Sequence, residues 1–329
     1  MRFGAVAVAD ATGALLAHGQ HVGGARWSKG RRLSDADIDA ARAEGLTSLT
    51  VAQLDAGDVA EADAATRIGA ALAGSGVVAL PPAHGRVNLA AAAAGLLLVD
   101  PRAVDALNAV NEGVTLGTLA AFARVAAGDI VATVKIIPYA VPGATLAAAI
   151  ACALPLRIAA FGAVTVDLIQ TMLPGQTAKA QAKTDRVTRA RLATLGAVVG
   201  RSEICAHDGA ALAARLALPT TAAITLVTGA SATVDRRDVI PAAMVAAGGI
   251  VERLGMPVDP GNLLCLGRIG ARAVIGLPGC ARSPKRNGFD WVLERLVAGL
   301  AVTGADIAGM GVGGLLPEAE RPQPRVARA

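Results

Sequence analysis

Three loops rich in Gly, Pro and short polar residues lie between Thr225 and Leu300 and carry residue types that bind anions. Each loop follows an apolar run typical of a β-strand, and two of the loops open directly into a helix. Such a turn directs backbone N–H groups and the helix dipole at an anion, and Gly lets the anion approach the backbone. Because the pattern occurs twice in one domain-sized segment, we read the ligand as a phosphate-bearing molecule.

Four residues of these loops suit a phosphate group. Ser231 and the N–H groups around Gly229 can hold a terminal phosphate. Arg282 can bind phosphate oxygens bidentately, and Lys285 adds a point charge. The sequence therefore predicts a phosphate site that combines backbone donors with two cationic side chains.

Two acids are the candidate catalytic residues. Asp235 or Asp238 can hold Mg²⁺ on a pyrophosphate, with Asp238 as the metal ligand, because hard cations prefer carboxylate oxygens. The alternative for Asp238 is a helix N-cap, and one residue can serve both roles. Cys280 can be reactive or a spectator thiol, and we read it as a spectator.

Composition narrows the class of partner. The chain has 329 residues, of which 53% are apolar and only 2% aromatic, and its net charge is +5. With almost no aromatic surface for stacking bases and no Lys/Arg block, a nucleic-acid reader is not expected. A mildly positive balance fits an anionic small molecule.

Cysteine usage and the termini predict a cytoplasmic protein. The four cysteines are far apart and form no metal-binding spacing, so we expect reduced thiols. The N-terminus lacks a long apolar region and does not resemble a signal peptide. The nearly uncharged run from Tyr139 to Leu156 contains two prolines, so we expect a buried helix with connectors and no membrane span.

The organisation of the chain follows from its hydrophobic periodicity. We expect a small α/β unit over 1–75, a second α+β unit over 76–155, a ligand-binding domain over 156–302 and a C-terminal tail over 303–329. Strands and helices alternate in the third segment, which predicts a mostly parallel sheet covered on both faces. Ligands of such sheets bind at the carboxyl ends of the strands, where Thr171, residues 228–238 and residues 278–285 should converge.

These loops together resemble the molybdopterin-binding domain of molybdopterin molybdenumtransferase and molybdopterin adenylyltransferase. In that family a strand ends in a Gly/Ser/Thr-rich loop, an Asp starts the next helix, and a Pro-Gly loop and a Gly-Leu-Pro-Gly loop follow. The matching residues are Thr228-Gly229-Ala230-Ser231, Asp238, Pro260-Gly261-Asn262 and Gly276-Leu277-Pro278-Gly279, with Ile169-Gln170-Thr171 as the first strand.

The resemblance implies a three-layer α/β/α domain with a mostly parallel sheet, preceded by smaller α/β and β-rich units. It also implies a ligand-binding set made of Thr171, Thr228, Gly229, Ser231, Pro260, Gly261, Asn262, Gly276, Pro278, Gly279, Arg282, Ser283 and Lys285. The implied ligand is molybdopterin or its adenylylated or molybdenum-loaded form, with Mg²⁺ as a further candidate.

Over nearly the whole chain the sequence is similar to a proteobacterial group of molybdopterin-binding proteins. Some members of that group are fused to a domain that resembles the molybdenum cofactor cytidylyltransferase. The sequence departs from the molybdenumtransferase at the Pro-Gly loop, which reads Asp259-Pro260-Gly261-Asn262 where that enzyme has basic residues. In place of that family's C-terminal β domain we expect a short tail.

Three functions stay open at this level. The first is an enzyme of molybdenum cofactor biosynthesis that acts in molybdate insertion or nucleotide attachment. The second is a non-catalytic carrier that passes the cofactor to a cytidylyltransferase or a molybdoenzyme, which the missing basic loop favours. The third is a binding module for another phosphorylated metabolite, since fold does not fix function.

The resemblance to this family, together with an apolar, Ala-rich surface, suggests a homodimer.

Overall fold

The structure is a computed structural model that describes residues 1–317. The chain divides into two compact units, the first formed by Met1–Ala160 and the second beginning at Phe161. The last part of the expected C-terminal tail, 318–329, lies outside the described residues. The finer division at residue 75 stays a prediction.

The first unit contains short antiparallel sheets and four helices within its described span, with the bounds that follow. Its strands are β1 Arg2–Ala7, β2 Leu15–Leu16, β3 Gln20–Val22, β4 Ala25–Trp27, β5 Ser48–Gln53, β6 Asp58–Ala60, β7 Val77–Ala79, β8 Arg86–Ala91, β9 Gly95–Leu98, β10 Val114–Thr118, β11 Arg124–Val125, β12 Ile130–Ile136, β13 Ala140–Pro142 and β14 Arg157–Ala160. Its helices are α1 Asp35–Ala43, α2 Glu61–Leu72, α3 Pro101–Asn108 and α4 Gly143–Cys152.

Two hydrophobic clusters lie in this unit. One gathers residues from Val8 to Val51 around Trp27, and the other gathers residues from Ala64 to Ile158. The strands order as β1-β5-β2, β3-β4, β10-β12-β8-β7, β11-β9-β14 and β13-β6. Strand β14, which the sequence analysis assigns to the third segment, therefore pairs antiparallel with β9 in the first unit.

Local capping signals explain where helices α1 and α3 of the first unit begin. Ser34 and Asp37 form a reciprocal capping box at the start of α1. Asp100 caps α3 and Pro101 occupies its first turn, where a missing N–H costs nothing. Helix α4 buries Leu146 and Ala149, as expected for the uncharged run. Among residues 1–317, no helix is both long enough and apolar enough to span a bilayer.

The second unit has a mixed sheet between two layers of helices. Its strands are β15 Thr165–Met172, β16 Val198–Ala206, β17 Ile224–Thr228, β18 Ile250–Leu254, β19 Cys265–Ile269 and β20 Arg272–Leu277. Its helices are α5 Ala178–Ala193, α6 Gly209–Leu216, α7 Val239–Ala246, α8 Gly288–Val297 and α9 Gly304–Ala308. Helix α5 begins at Ala178, and 179–183 are good helix formers without apolar periodicity.

The sheet order is β16-β15-β17-β20-β19-β18. The pairs β16-β15, β15-β17 and β17-β20 are parallel. Strand β19 pairs antiparallel with β20, and β18 pairs antiparallel with β19. This confirms the expected mostly parallel sheet with additional antiparallel strands in the chain.

Alternation along the strands covers both faces of this sheet. Leu226 packs in a cluster with residues of α5, α8 and α9, whereas its neighbour Val227 packs in a cluster with α6 and α7. Side chains of adjacent strand residues point to opposite faces, so the two clusters lie on opposite sides. The second unit is therefore a three-layer α/β/α domain.

Candidate functional site

The candidate site lies at the edge where the parallel strands of the second unit end, here called the carboxyl edge. The chain leaves β15 through α5 to β16 on one side, then returns through α6 to β17 on the other side. This reversal makes a topological switch point between β15 and β17, the place where open α/β sheets bind ligands. Thr171 is next to the last residue of β15, and Thr228 ends β17.

Hydrogen bonds join the ends of three strands at this point. The hydroxyl of buried Thr171 lies 2.8 Å from Nδ1 of His207, which directly follows β16. Nε2 of His207 lies 2.7 Å from the hydroxyl of Ser231 in the loop after β17. The Ala230 N–H also donates to the Thr171 hydroxyl at 2.9 Å. The loops after β15, β16 and β17 are thus connected through side chains.

Gly229 lets the loop after β17 turn tightly over the edge. A Cβ added at Gly229 would lie 2.8 Å from the carbonyl oxygen of Ser231 and 3.1 Å from Cδ1 of Ile240. The first distance is too short for a side chain, so only glycine fits here. Arg282 donates a hydrogen bond from its guanidinium to the Gly229 carbonyl. The cation from the loop after β20 therefore lies against the loop that carries Ser231.

Arg191 of α5 organises the segment from which Arg282 projects. Its guanidinium donates to the carbonyls of Ala281 and Ser283, each at 2.8 Å, and to that of Lys285 at 3.2 Å. It also pairs with Asp290 of α8 at 2.6 Å, with both side chains less than a tenth exposed. The planar fork of Arg can bond several acceptors at once, which fixes the path of 281–285.

The Pro-Gly loop is held against the start of α8. The N–H of Gly288 donates to the Pro260 carbonyl at 2.8 Å, and a Cβ added at Gly261 would lie 2.8 Å from that same nitrogen. The backbone of Asn262 accepts from Met256 at 3.0 Å and closes a short turn. Close backbone approach, and the positive φ of 143° at Gly261, explain the glycine.

Gly276 has a packing role in the structure. It lies within β20, where an added Cβ would meet Cβ of Cys265 and Cγ2 of Ile240, both at 3.0 Å. Pro278 and Gly279 follow the strand and begin the 3₁₀ turn of Gly279–Arg282. Gly279 differs from Gly276, because no heavy atom lies within 4 Å of its added Cβ.

The two acids of the loop after β17 bond to their own loop. One carboxylate oxygen of Asp238 accepts from the N–H groups of Val234 and Asp235, at 2.7 and 3.0 Å. Asp238 is the residue before α7, but its side chain makes no capping bond to that helix. Asp235 pairs with Arg237 at 2.8 Å, and this hydrogen bond lowers the pKa of the Asp235 carboxyl.

This donor set does not fit Mg²⁺. Octahedral Mg²⁺ requires well-placed free oxygens, whereas one oxygen of each acid already accepts hydrogen bonds from the loop. Within residues 1–317, no group of three or more His, Cys, Asp or Glu side chains is arranged to hold a metal ion. Asp235 and Asp238 are therefore poorly arranged for a magnesium site.

Two further residues at the edge are shielded. Burial raises the pKa of the Cys280 thiol, which keeps it protonated and weakly nucleophilic. The hydroxyl of Thr228 is buried, and no atom of the described chain bonds to it. Ser283 accepts the Lys285 N–H on its hydroxyl at 3.2 Å, which adds to the turn that Arg191 holds.

The structure brings together part of the predicted set and adds two residues to it. Thr171, Gly229, Ser231 and Arg282 meet at the carboxyl edge through the contacts above. His207 and Arg191 were not predicted. A signal for His207 was present in the sequence, because it directly follows a predicted strand as Gly229 does. Arg191 offers no such signal, since it is one of several basic residues of a polar helix and lies in its last turn.

The fold defines a three-layer α/β/α domain, and its candidate site lies at the switch point of the sheet. No protein-family model and no curated protein matches the chain. Among solved structures it is similar to the crystal structure of molybdenum cofactor biosynthesis protein B, at 16% identity and a TM-score of 0.29, over 41% of this chain and 88% of that chain. It is also similar to the molybdopterin biosynthesis MoeA protein from Pyrococcus horikosii, at 14% identity and a TM-score of 0.31, over 90% of this chain and 75% of that chain.

Proposed function

We propose that this protein serves molybdenum cofactor biosynthesis by binding the phosphate of molybdopterin, or of its nucleotide or molybdenum-loaded form, at the carboxyl edge. The observation that carries the proposal is the hydrogen-bonded junction of the loops after β15, β16 and β17, covered by Arg282 of the loop after β20. The motifs that resemble the molybdopterin-binding domain supply Thr171, Gly229 and Ser231 of this junction.

The chemistry of the junction suits a phosphate. Gly229 removes side-chain bulk where an anion would approach the backbone, and exposed Ser231 places a hydroxyl beside it. Arg282 is an exposed residue whose guanidinium is anchored next to that loop, so it can bond phosphate oxygens in a charge-assisted way. Lys285 is exposed on the same segment and adds positive charge.

A carrier role is the second candidate, and one observation favours it. The two acids that would hold a catalytic metal are bonded to their own loop, which stiffens that loop and leaves them poorly suited to Mg²⁺. Under this alternative the protein binds the cofactor and hands it to a cytidylyltransferase or a molybdoenzyme without chemistry of its own.

Extraction of the bound ligand tests the binding proposal. The protein is purified from a host that makes molybdopterin and denatured, and the released material is oxidised and assayed for the fluorescent pterin derivative, with molybdenum measured on the same sample. We expect about one pterin per chain, because a protein of this size has few such pockets. Absence of pterin from folded wild-type protein would overturn the proposal and leave another phosphorylated metabolite as the ligand.

A pair of variants ties the pterin to this site. Arg282→Met removes the guanidinium at the Gly229 loop and should lower the retained pterin at least about tenfold, since a charge-assisted hydrogen bond contributes about 1.5–3 kcal/mol. Arg189→Met removes the same charge from the exposed pair with Asp185 on α5 and should retain pterin as wild type does. Equal retention by both variants would move the binding site away from Arg282.

Turnover separates the enzyme from the carrier. Pterin-loaded protein is incubated with molybdate, and separately with nucleoside triphosphate, and the bound pterin species are followed by chromatography. Conversion by wild type that is lost in a folded Asp238→Asn protein supports the enzyme. Stoichiometric release to an acceptor without conversion supports the carrier.

A further inference from the structure

Ser231 and His207 have the geometry of a nucleophile and its general base. The hydroxyl oxygen of Ser231 lies 2.7 Å from Nε2 of His207, within the reach that proton transfer requires. Ser231 is exposed at the carboxyl edge, whereas His207 is half-buried beside it. A reagent can therefore reach the hydroxyl while the imidazole stays in place behind it.

The contacts of Thr171 favour one of the two tautomers of His207. The Thr171 hydroxyl oxygen lies near three partners, namely the Ala230 N–H at 2.9 Å, His207 Nδ1 at 2.8 Å and the Thr228 carbonyl at 3.3 Å. A hydroxyl has one hydrogen to donate and two lone pairs to accept with. The carbonyl can only accept, so all three contacts are hydrogen bonds only when the hydroxyl hydrogen points to Thr228.

It follows that Nδ1 of His207 donates its hydrogen to Thr171. In the neutral ring Nε2 then carries no hydrogen, and its lone pair faces the Ser231 hydroxyl. The opposite tautomer would leave the Thr228 carbonyl contact without a hydrogen. Thr171 thus acts as a positioning residue that holds the base in the form able to accept a proton.

We propose that Ser231 is a nucleophile activated by His207, and that its substrate class is a phosphoric anhydride bound at the carboxyl edge. The choice of substrate class rests on the proposed phosphate site, because Arg282 lies against the Gly229 loop and can neutralise charge on a phosphoryl group. The nucleophile itself depends only on the Thr171, His207 and Ser231 contacts.

The step balances without an oxidant or a metal. The Ser231 oxygen attacks phosphorus, the new O–P bond forms as the P–O bond to the leaving phosphate breaks, and the hydroxyl proton moves to Nε2 of His207. The leaving group departs with the electron pair of the broken bond, and His207 returns its proton to that group or to water. Water attack on the phosphoserine, with His207 as base again, regenerates the hydroxyl.

Labelling with a fluorophosphonate tests the nucleophile on pterin-free protein. The reagent repeats the step, with fluoride as the leaving group, and peptide mass spectrometry locates the adduct. We expect labelling at Ser231 and none at Ser283, a serine of the neighbouring loop whose hydroxyl accepts the Lys285 N–H. The His207→Ala protein should label about 100-fold more slowly, the loss typical of a general base. No labelling of Ser231, or an equal rate in His207→Ala, would overturn the proposal.

Two further measurements distinguish loss of the general base from misfolding of a variant. Thr171→Val should slow labelling about tenfold, whereas Thr171→Ser, which keeps the hydroxyl, should restore it. Imidazole ¹⁵N NMR of the wild type at high pH should show His207 protonated on Nδ1, and protonation on Nε2 would contradict the assignment. Because neither test uses pterin, a wild type that labels without binding pterin would reject the proposed ligand and keep the nucleophile.

Discussion

At the residue scale, two loop glycines of the carboxyl edge differ in the space around them. A side chain at Gly229 would meet the Ser231 carbonyl at 2.8 Å, and a backbone oxygen cannot move aside as a flexible side chain can. A side chain at Gly279 would meet no heavy atom within 4 Å, and its backbone does not need a positive φ. Gly229 is therefore required by packing, whereas Gly279 is tolerant in the folded chain.

We predict that Gly229→Ala lowers the free energy of unfolding of the second unit by about 1–3 kcal/mol, the usual cost of overpacking. It should also displace Ser231 from His207 and reduce fluorophosphonate labelling. The measurement is urea unfolding followed by Trp291 fluorescence, since Trp291 packs against the core of the second unit.

Gly279→Ala is the matched control for this prediction. It adds the same methyl group in a neighbouring loop and should leave unfolding within about 0.5 kcal/mol of wild type. Equal destabilisation by the two substitutions would show that the crowding at Gly229 does not determine the loop.

Some residues of the candidate site could be predicted because they lie at or just after the end of a strand. Thr171, Gly229, Ser231 and Arg282 lie at or just after strand ends, so the βα alternation alone predicted their convergence. Asp238 was predicted to bind metal or cap α7, and its side chain instead bonds the loop before it. The choice between these partners depends on the path of 234–238, which sequence spacing does not determine.

At the scale of the element, Arg191 connects α5, the 281–285 segment and α8. Its bonds to three carbonyls and its buried pair with Asp290 join α5 to two neighbouring elements that lie far along the chain from it. It also lies over the Phe289 ring, 5.6 Å from the centroid. Helix α5 thereby positions the segment that carries Arg282.

We predict that Arg191→Met destabilises the second unit by about 3–5 kcal/mol, because it leaves Asp290 as a buried charge without its partner. Arg191→Lys keeps a charge near Asp290 but cannot bond the carbonyls in a fork, so it should recover only part of the loss. Both are measured by urea unfolding with Trp291 as the probe.

The exposed pair of Arg189 with Asp185 on the same helix provides the comparison. Arg189→Met should cost about 0.3–0.5 kcal/mol, the usual value for such pairs. Full recovery of stability in Arg191→Lys would indicate that the ion pair alone matters and that the carbonyl bonds contribute little.

Helices that begin at a local signal can be predicted from the sequence, whereas pairings between distant segments cannot. The helices at 35–43 and 101–108 follow from a capping box and from a capped proline turn. The pairing of β9 with β14, and of β6 with β13, joins segments tens of residues apart. The sequences of such short, Ala- and Leu-rich strands do not specify which strand they pair with, because many registers bury these side chains equally well.

At the scale of the whole molecule, each unit contains its own hydrophobic clusters and one tryptophan. Trp27 is buried in the cluster of residues 8–51, and Trp291 packs in the second unit. All the residues that meet at the carboxyl edge belong to the second unit. A ligand bound at the carboxyl edge would therefore stabilise directly only the unit that Trp291 reports on.

We predict that pterin-loaded protein unfolds at higher urea than pterin-free protein when Trp291 is observed, with no change when Trp27 is observed. Trp27→Phe and Trp291→Phe proteins, made in hosts with and without molybdopterin synthesis, isolate the two signals. At a free ligand concentration of 100 times Kd the added stability is about 2.7 kcal/mol. A Trp27 transition that shifts together with the Trp291 transition would show that the two units unfold as one cooperative body. A shift in Trp27 alone would place the ligand in the first unit, against the carboxyl-edge site.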